Sequence, residues 1–579
     1  MFKLLKKAKK YIYMMLIVVA FLFLIAMCNL MLPRLMANLI NNGISKGDNE
    51  YIIRTGILMI ALSLVSVLCQ IVTNYFTSIS SMGFGRDLRS EMFRKISHFS
   101  LQQIDEFGTA ALITRTASDV RSMQMLLQAG LASVVGVPLN MIGGIVMAFS
   151  MDTQLATIVV IGMPIVLLVV FLNIKWVRPL FEIMRDKLDG VSRVLRENLS
   201  GVRVIRAFNA IEKEHERFNQ SNLEHTSANR KARYRMALLN PITTIVISGV
   251  TVAVYWVGQF RIESGYMSVG DIVAFTQYII QILGALMGMQ MVFNLIPNAI
   301  TAAGRINKVL ESEVLITDPD DPETPSPDIF GEVCFENVTF RYPGAEKPIL
   351  EDISFKANPG ETTAIIGGTG SGKSTIVSLI PRLYDIQEGK IYVNRTDITR
   401  MTQHDLRRRI GFVSQKAQLF TGSIADNIRF GSFETTDRDI KAAAHIAQAD
   451  TFIEAMSDGY GSFVSQDATN LSGGQKQRIS IARAIARDPE IYIFDDSFSA
   501  IDLKTDAELR AKLKTITRRA AVIIVAQRVS TIMDAEQIIV LDEGKCVGKG
   551  THSSLMETCM IYREIVDSQL REDDYEYGT

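Results

Sequence analysis

The sequence contains few cysteines and no excess of charge of either sign. Its 579 residues include five cysteines, none of them in a Cys-x-x-Cys pair. We interpret them as free thiols in a reducing compartment, which excludes a disulfide framework and a cysteine-based metal site. Lys plus Arg and Asp plus Glu both number 61, so the net charge says nothing about a nucleic-acid partner, and we expect none. No pattern typical of haem, zinc or flavin binding occurs in the sequence.

Long apolar runs, by contrast, dominate the first half of the chain. Hydrophobic residues make up 48% of the sequence, and the length is too great for one domain. Six runs of about 20 residues or more are typical of membrane-spanning helices. They cover residues 11–37, 52–80, 125–148, 155–175, 236–260 and 271–297. The first run follows several lysines and could be a signal peptide, but its length and the later spans favour a membrane helix.

Basic residues between the spans indicate their orientation. The short loops after spans one, three and five hold only Lys46 and Arg261, whereas the long loops hold many Lys and Arg between Arg86 and Arg235. By the positive-inside rule, the long loops and both termini are cytoplasmic. Helical periodicity in these loops predicts that the spans continue into the cytoplasm as helices.

The last span carries a group of methionine and amide side chains at helical spacing. The group consists of Met287, Gln290, Met291 and Asn294. One interpretation is an adaptable face that contacts a transported substrate. Ordinary packing between helices in the bilayer is the alternative, and it is favoured for any single one of these residues.

An acidic, proline-rich stretch separates the two halves of the chain. Residues 318–328 contain four prolines and many acids, a composition typical of a stiff linker. After it, short β-prone runs alternate with helical ones, which predicts an α/β nucleotide domain. The predicted divisions are a membrane domain at 1–310, a linker at 311–330, a nucleotide domain at 331–570 and an acidic tail at 571–579.

The nucleotide domain contains a phosphate-binding loop pattern, G-x-x-x-x-G-K-[ST]. Its residues are Gly367, Gly368, Thr369, Gly370, Ser371, Gly372, Lys373, Ser374 and Thr375. A β-prone run at 362–366 precedes the loop and a helical run follows it, so backbone N–H groups and a helix N-terminus would face a polyphosphate. Lys373 is expected to reach the β- and γ-phosphates, and the Ser374 hydroxyl to bind Mg²⁺. A glycine-rich turn that binds no nucleotide is the alternative.

Three further features accompany this loop. The run 491–495 is an apolar strand ending in Asp495, a carboxylate placed to hold Mg²⁺ or its water. Tyr342 follows the first strands predicted for the domain, at 333–335 and 338–340, and is a candidate to stack on an adenine ring. A second phosphate-binding helix start is formed by Leu471, Ser472, Gly473, Gly474 and Gln475.

Together these motifs closely resemble those of ABC transporters of the exporter type, as a half-transporter with the membrane domain ahead of the nucleotide domain. The resemblance implies that Gln415 senses Mg²⁺ and that Ser499 and Asp502 lie in a loop at a dimer interface. It also implies that the stretches at 115–119 and 201–208 dock on nucleotide domains. In this family two nucleotide domains enclose two ATP molecules, each between one phosphate loop and the other subunit's signature motif.

Two residues depart from the family pattern. Asp496 stands where the family has a catalytic glutamate, and Gln527 stands where it has a histidine that contacts the γ-phosphate. A carboxylate withdrawn by roughly 1 Å can cost on the order of 10²-fold in rate. The stretch 464–470 also lacks the usual Glu and Gly residues before the signature. Since Leu471–Gln475 is intact, the chain resembles the degenerate-site subunit of a bacterial heterodimeric multidrug exporter.

The sequence therefore predicts an α-helical six-span membrane domain followed by an α/β P-loop ATPase domain. The expected function is ATP- and Mg²⁺-dependent export of an amphipathic drug, lipid or peptide across the bacterial plasma membrane, together with a second half-transporter. Two alternatives remain: a regulatory or channel-like subunit gated by ATP, and a weakly hydrolysing homodimer.

Overall fold

The chain forms two compact units in a computed structural model. The model describes residues 1–326, 329–432 and 434–576, except the side chains at 170, 173–174, 239–240, 286–294, 503 and 570–576. One unit, the membrane unit, comprises Met1–Ser97 and Ala110–Ser312. The other, the nucleotide unit, comprises His98–Thr109 and Glu313–Thr579.

The membrane unit is built from helices. Their bounds are Phe2–Leu5, Ile12–Asn38, Asn49–Ser97, Thr109–Thr114, Val120–Met151, Thr153–Ser200, Val202–Ala207, Ile211–Ala237, Leu239–Glu263 and Val269–Glu311. A 3₁₀ turn, Lys6–Tyr11, and two wider π-helical turns, Leu39–Ile44 and Arg115–Asp119, connect some of them. Several of these helices exceed the thickness of a bilayer. The 49 residues of Asn49–Ser97 span about 74 Å, against about 30 Å of hydrocarbon, so part of this helix extends beyond the membrane.

The apolar helical segments overlap the six predicted spans. Among the described residues, four segments are long and apolar enough to cross a membrane: Phe2–Ile44, Asn49–Ser97, Thr109–Met151 and Ile211–Glu263. Two shorter apolar segments, Thr153–Val169 and Val269–Ala285, begin the helices that hold the predicted fourth and sixth spans. The chain is thus a multi-pass membrane protein.

An ion pair between a buried carboxylate and a partly exposed arginine joins two helices at one end of the membrane unit. Asp152 begins the helix Thr153–Ser200 and accepts hydrogen bonds from the N–H groups of Gln154 and Leu155 at 2.9 and 3.0 Å. Its other carboxylate oxygen accepts from Nε and Nη2 of Arg261 at 2.9 and 2.6 Å. The Asp152 side chain is only 3% exposed. One carboxylate therefore caps one helix and holds the end of another.

The nucleotide unit combines strands and helices. The strands are β1 Val333–Phe340, β2 Leu350–Ala357, β3 Thr362–Gly367, β4 Glu388–Val393, β5 Thr396–Asp397, β6 Ile410–Val413, β7 Gly422–Ser423, β8 Phe463–Val464, β9 Ile491–Asp495, β10 Ala521–Val525, β11 Gln537–Asp542 and β12 Lys545–Gly550. The helices are Leu101–Phe107, Lys373–Leu379, Gln403–Arg408, Ile424–Arg429, Asp437–Ile446, Asp450–Glu454, Gly473–Ile485, Leu503–Ile516, His552–Thr558 and Met560–Glu576. Short 3₁₀ turns occur at Gly459–Gly461, Gln466–Ala468 and Val529–Thr531.

The central sheet has the strand order β12-β11-β3-β10-β9-β6. All its neighbours pair in parallel except β11 and β12, which are antiparallel. A second, antiparallel sheet has the order β2-β1-β4-β5, and β7 pairs with β8. The register aligns Val525 of β10 with Ile365 of β3 and with Asp495 of β9. Because parallel strands end at the same edge, the loops after β3, β9 and β10 meet there.

Both faces of the central sheet are buried. Side chains of Ile365 and Ile493 join one apolar cluster, while those of Ile366 and Phe494 join the other, as alternation along a strand requires. Burial on both faces explains why apolar residues dominate the sequence of these strands. The predicted strands at 362–366 and 491–495 are confirmed, and so is the α/β class of this half.

Two local features differ from the sequence expectation. The short β runs at 333–335 and 338–340 form one strand, whose register with β2 and β4 is interrupted near Asn337, where φ is +48°. After Glu311, where the preceding helix ends, the described part of the acidic linker has no helix or strand. It is nevertheless hydrogen-bonded, because Asp318 accepts from the N–H of Gln403 at 2.9 Å. Glu323 pairs with Arg400 at 2.7 Å.

Candidate nucleotide-binding site

The phosphate loop connects β3 to the helix Lys373–Leu379. Gly370 and Gly372 have φ of +82° and +97°, a conformation that favours glycine. A Cβ on Gly372 would lie 2.5 Å from Leu350, so the loop also needs glycine for space. Gly368 and Thr369 are exposed, whereas Ser371 and Thr375 are buried. The loop therefore presents backbone to solvent at its centre.

Lys373 folds over this loop. Its Nζ donates hydrogen bonds to the carbonyl oxygens of Gly367 and Gly368 at 2.8 and 2.7 Å. Burial lowers the pKa of Lys373 from its ordinary value, and the charges of Asp496 and Asp495 oppose that shift. The ammonium group thus lies between backbone oxygens and two carboxylates, where further anionic oxygens can be bound.

The Ser374 hydroxyl meets the carboxylate at the end of β9. Ser374 Oγ donates to Asp495 Oδ1 at 2.9 Å. Burial raises the pKa of Asp495, the neighbouring charge of Asp496 adds to the rise, and the Ser374 hydrogen bond and Lys373 oppose it. Two oxygen atoms of the type that coordinates Mg²⁺, one from a hydroxyl and one from a carboxylate, are therefore adjacent at the edge of the sheet.

Asp496, directly after β9, is held by two amide side chains. Its Oδ2 accepts from Nε2 of Gln415 at 3.1 Å and from Nε2 of Gln527 at 2.7 Å. Its backbone lies in the left-handed region, with φ of +47°, and its N–H donates to the carbonyl of Val525 at 2.9 Å. The side chain is 9% exposed. Three loops thus converge on one carboxylate.

The signature residues begin the helix Gly473–Ile485. Ser472 is its N-cap: the Ser472 hydroxyl accepts from the N–H of Gln475 at 3.3 Å, and Gln475 Oε1 accepts from the N–H of Ser472 at 2.9 Å. This reciprocal capping box fixes the start of the helix. Leu471 is buried, while Gly473 has open space around its Cα. The helix N-terminus is consequently available to an anion.

The loop after β9 closes against the signature. A Cβ on Gly474 would lie 3.0 Å from the carbonyl oxygen of Ala500, so glycine permits this approach. Ser499 Oγ donates to the carbonyl of Asp496 at 2.9 Å. Asp502 caps the helix Leu503–Ile516 by accepting from the N–H of Thr505 at 3.0 Å, and this bond lowers the pKa of Asp502.

Tyr342 lies beside the phosphate loop. Its hydroxyl is 3.1 Å from Thr375 Oγ1, and its ring makes edge contacts with Phe340 and Tyr384 at centroid distances of 5.0 and 5.4 Å. The predicted substrate side chains Met287, Gln290, Met291 and Asn294 lie outside the described residues, although their backbone is part of the helix Val269–Glu311.

Sequence reasoning missed one helix of the nucleotide unit. Leu101–Phe107 belongs to this unit, and Gln103 Nε2 donates to the carbonyl of Glu313 at 2.8 Å. The stretch at 115–119 forms a π-helical turn of the membrane unit, and its docking on a nucleotide domain stays a prediction. The capping box of Ser100 and Gln103 was the available signal for the missed helix.

Two side-chain links to the site were also missed. Gln477 in the signature helix donates to the carbonyl of Ser414 at 3.4 Å, next to Gln415. Gln569 in the last helix contacts the loop of Gln527. Both links join residues far apart in the chain, and no local pattern in the sequence marks them.

Comparison with known proteins places these features in a family. The family model of the ABC transporter transmembrane region matches residues 15–286, and that described as ABC transporter matches residues 350–499. The chain is similar in fold to a solved bacterial Atm1-family ABC exporter with ATP bound. The TM-score is 0.80 at 24% identity, covering 97% of this chain and 98% of that one.

Curated relatives match over nearly the whole chain. An uncharacterized ABC transporter ATP-binding protein of Mycobacterium tuberculosis is 41% identical over 94% of each chain. One of Bacillus subtilis is 35% identical over 93% of each. A fatty acid ABC transporter ATP-binding/permease protein of Mycobacterium tuberculosis is 32% identical over 83% of this chain and 75% of that protein. The chain belongs to the ABC transporter family, as an exporter half-transporter with a membrane domain fused to its ATPase domain.

Proposed function

We propose that this chain is the degenerate-site half of a heterodimeric exporter in the plasma membrane, with both termini and the ATPase domain cytoplasmic. The observation that carries the proposal is the environment of Asp496. Its carboxylate accepts from the amides of Gln415 and Gln527, and neither amide can take up a proton. A base that is short by one methylene and held back by two donors is poorly placed to activate water.

The intact signature motif supports the proposal that this chain forms a dimer with a second half-transporter. Ser472 and Gln475 hold the helix N-terminus in a complete capping box, and Gly474 keeps the close approach to Ala500. This surface is of use to an ATP bound by the other half of a dimer. We therefore assign Leu471–Gln475 to the partner's competent site, and Ser499 and Asp502 to the dimer interface.

Mg·ATP is the assigned ligand of this chain's phosphate loop. The Ser374 and Asp495 oxygens are 2.9 Å apart, and adjacent ligands of octahedral Mg²⁺ at 2.0–2.1 Å are separated by about the same distance. Ser374, Asp495 and Gln415 would hold the ion, which neutralises charge on the β- and γ-phosphates. Tyr342 is assigned to the adenine ring.

For the transported substrate we propose an amphipathic molecule, and a lipid first. The likeness to a fatty acid transporter favours this choice over a drug or a peptide. The methionine and amide group around Met287 and Asn294 is the proposed contact surface. Uptake of labelled fatty acid into inverted vesicles containing the dimer, with and without ATP, measures this directly.

The rate of ATP hydrolysis should differ between the chain alone and the chain in complex with a second half-transporter. The full-length chain purified alone should hydrolyse ATP slowly, and co-purification with a half-transporter that carries the glutamate and histidine should restore turnover. Asp496→Asn in that complex should change the rate less than about threefold, since the partner's site does the work. Asp534→Asn, an exposed carboxylate of the same unit, is the matched control.

Restoring the family residues at positions 496 and 527 tests whether Asp496 and Gln527 are the cause of slow ATP hydrolysis. Asp496→Glu combined with Gln527→His should raise turnover of the chain alone by about tenfold or more, because the carboxylate then reaches the attacking water. Robust turnover by the wild-type chain alone that Asp496→Asn abolishes would make Asp496 a working base and the chain a homodimer. Turnover absent in both preparations, with ATP-dependent conductance, would favour the channel-like alternative.

A further inference from the structure

The last helix of the chain contacts the loop that carries Gln527. Gln569 Nε2 donates to the carbonyl oxygen of Gln527 at 2.6 Å, and Gln569 Oε1 accepts from the N–H of Val529 at 2.8 Å. One amide side chain therefore binds the backbone on both sides of Arg528, using its donor and its acceptor together.

The Gln569 side chain supplies a hydrogen-bond acceptor to a buried backbone N–H of this loop. Val529 is 5% exposed, and a buried N–H without a partner is costly. On the other side, the Gln527 side chain donates to Asp496 Oδ2 at 2.7 Å. The Gln569 amide, the backbone of Gln527 and the Asp496 carboxylate thus form one continuous series of contacts, which fixes where the Gln527 amide points.

The helix that carries Gln569 is itself fixed. In Met560–Glu576, Tyr562 and Val566 are 0% and 6% exposed and pack in the main apolar cluster of the unit. The Tyr562 hydroxyl is also 2.8 Å from Nδ1 of His552. Residues 562, 566 and 569 follow the spacing of one helix face, so the buried face of the helix presents Gln569 to the loop.

We propose that Gln569 is a positioning residue for the ATP site, through which the C-terminal helix holds the Gln527 loop against Asp496. The inference rests on the role proposed above for Gln527 at that site. Any partner or modification that displaces this helix would change the site from outside the nucleotide pocket.

Hydrogen exchange tests the contact without reference to activity. Gln569→Met removes both hydrogen bonds at similar volume, and amide exchange in the peptide covering 526–531 should become about tenfold faster, with the rest of the unit unchanged. Ser568→Ala, at an exposed neighbouring position, should leave exchange as it was. Unaltered protection of 526–531 in Gln569→Met would overturn the proposal.

A double-mutant cycle then separates positioning from general support of the fold. With Gln527 present, Gln569→Met should shift the dissociation constant for Mg·ATP, or kcat where turnover is measurable, by about three- to tenfold. With Gln527→Ala, the same substitution should have no further effect. An equal effect in both backgrounds would overturn the proposal, whichever rate the wild-type chain shows. Failure of the degenerate-site proposal, seen in the Asp496 experiments, is therefore distinguishable from failure of this one.

Discussion

Replacing Lys373 with alanine is expected to weaken Mg·ATP binding to this chain by about 100-fold or more. The ammonium group holds two backbone carbonyls at 2.8 and 2.7 Å beside two carboxylates, and ATP phosphates would be its stronger acceptors. Each charge-assisted hydrogen bond contributes about 1.5–3 kcal/mol, so losing the group removes at least two decades of affinity. Titration of the full-length chain with a fluorescent ATP analogue measures the change.

The matched control for this experiment is Lys347→Ala. Lys347 is an exposed lysine of the same unit, and its loss should leave the dissociation constant within about twofold. Retention of wild-type affinity in Lys373→Ala would show that the loop binds no nucleotide through its lysine. Absence of ATP binding by the wild-type chain would instead favour the alternative, a glycine-rich turn that binds no nucleotide.

Replacing Asp152 with alanine is expected to destabilise the membrane unit by about 3–5 kcal/mol. The carboxylate caps one helix through two N–H groups and pairs with Arg261, whose side chain is itself 23% exposed. Removing Asp152 leaves the partly exposed charge of Arg261 without its carboxylate partner, and the lost cap adds to the cost. Equilibrium unfolding of the full-length chain in mixed micelles of increasing SDS content measures the loss.

Two further variants separate the cap from the ion pair. Asp152→Asn keeps an oxygen for the N–H groups of Gln154 and Leu155 and should lose less stability than Asp152→Ala. The double variant with Arg261→Met should be more stable than the sum of the single losses predicts, because the uncompensated charge is gone. Additive losses would contradict the pairing. Asp189→Ala, at an exposed position of the same unit, is the control.

The sequence predicted the parts of this structure that depend on local pattern. Apolar runs predicted the spans and the strands at 362–366 and 491–495, because strands buried on both faces are rich in apolar side chains. Glycine spacing gave the phosphate loop, whose residues Gly370 and Gly372 adopt positive φ. The order of motifs along the chain gave the family, which whole-length relatives then established.

Contacts between segments far apart in the chain could not be predicted from local sequence patterns. Gln569 lies 42 residues from Gln527, and the helix Leu101–Phe107 lies 210 residues before its hydrogen-bond partner Glu313. The interruption of β1 near Asn337 is visible only in its register with β2 and β4. In each case the tertiary partner decides the geometry, and periodicity carries no trace of it.

The alignment of Val525 with Ile365 and Asp495 limits how this protein can change over evolution. A substitution at position 496 or 527 does not change the pairing of the three strands. The rate of ATP hydrolysis can therefore be changed by point mutation. Inserting or deleting a residue within β10 would move the Gln527 loop by about 3.3 Å and turn Ile523 and Ile524 to the wrong faces. Divergence at this catalytic centre is therefore expected as substitutions on a backbone of constant length.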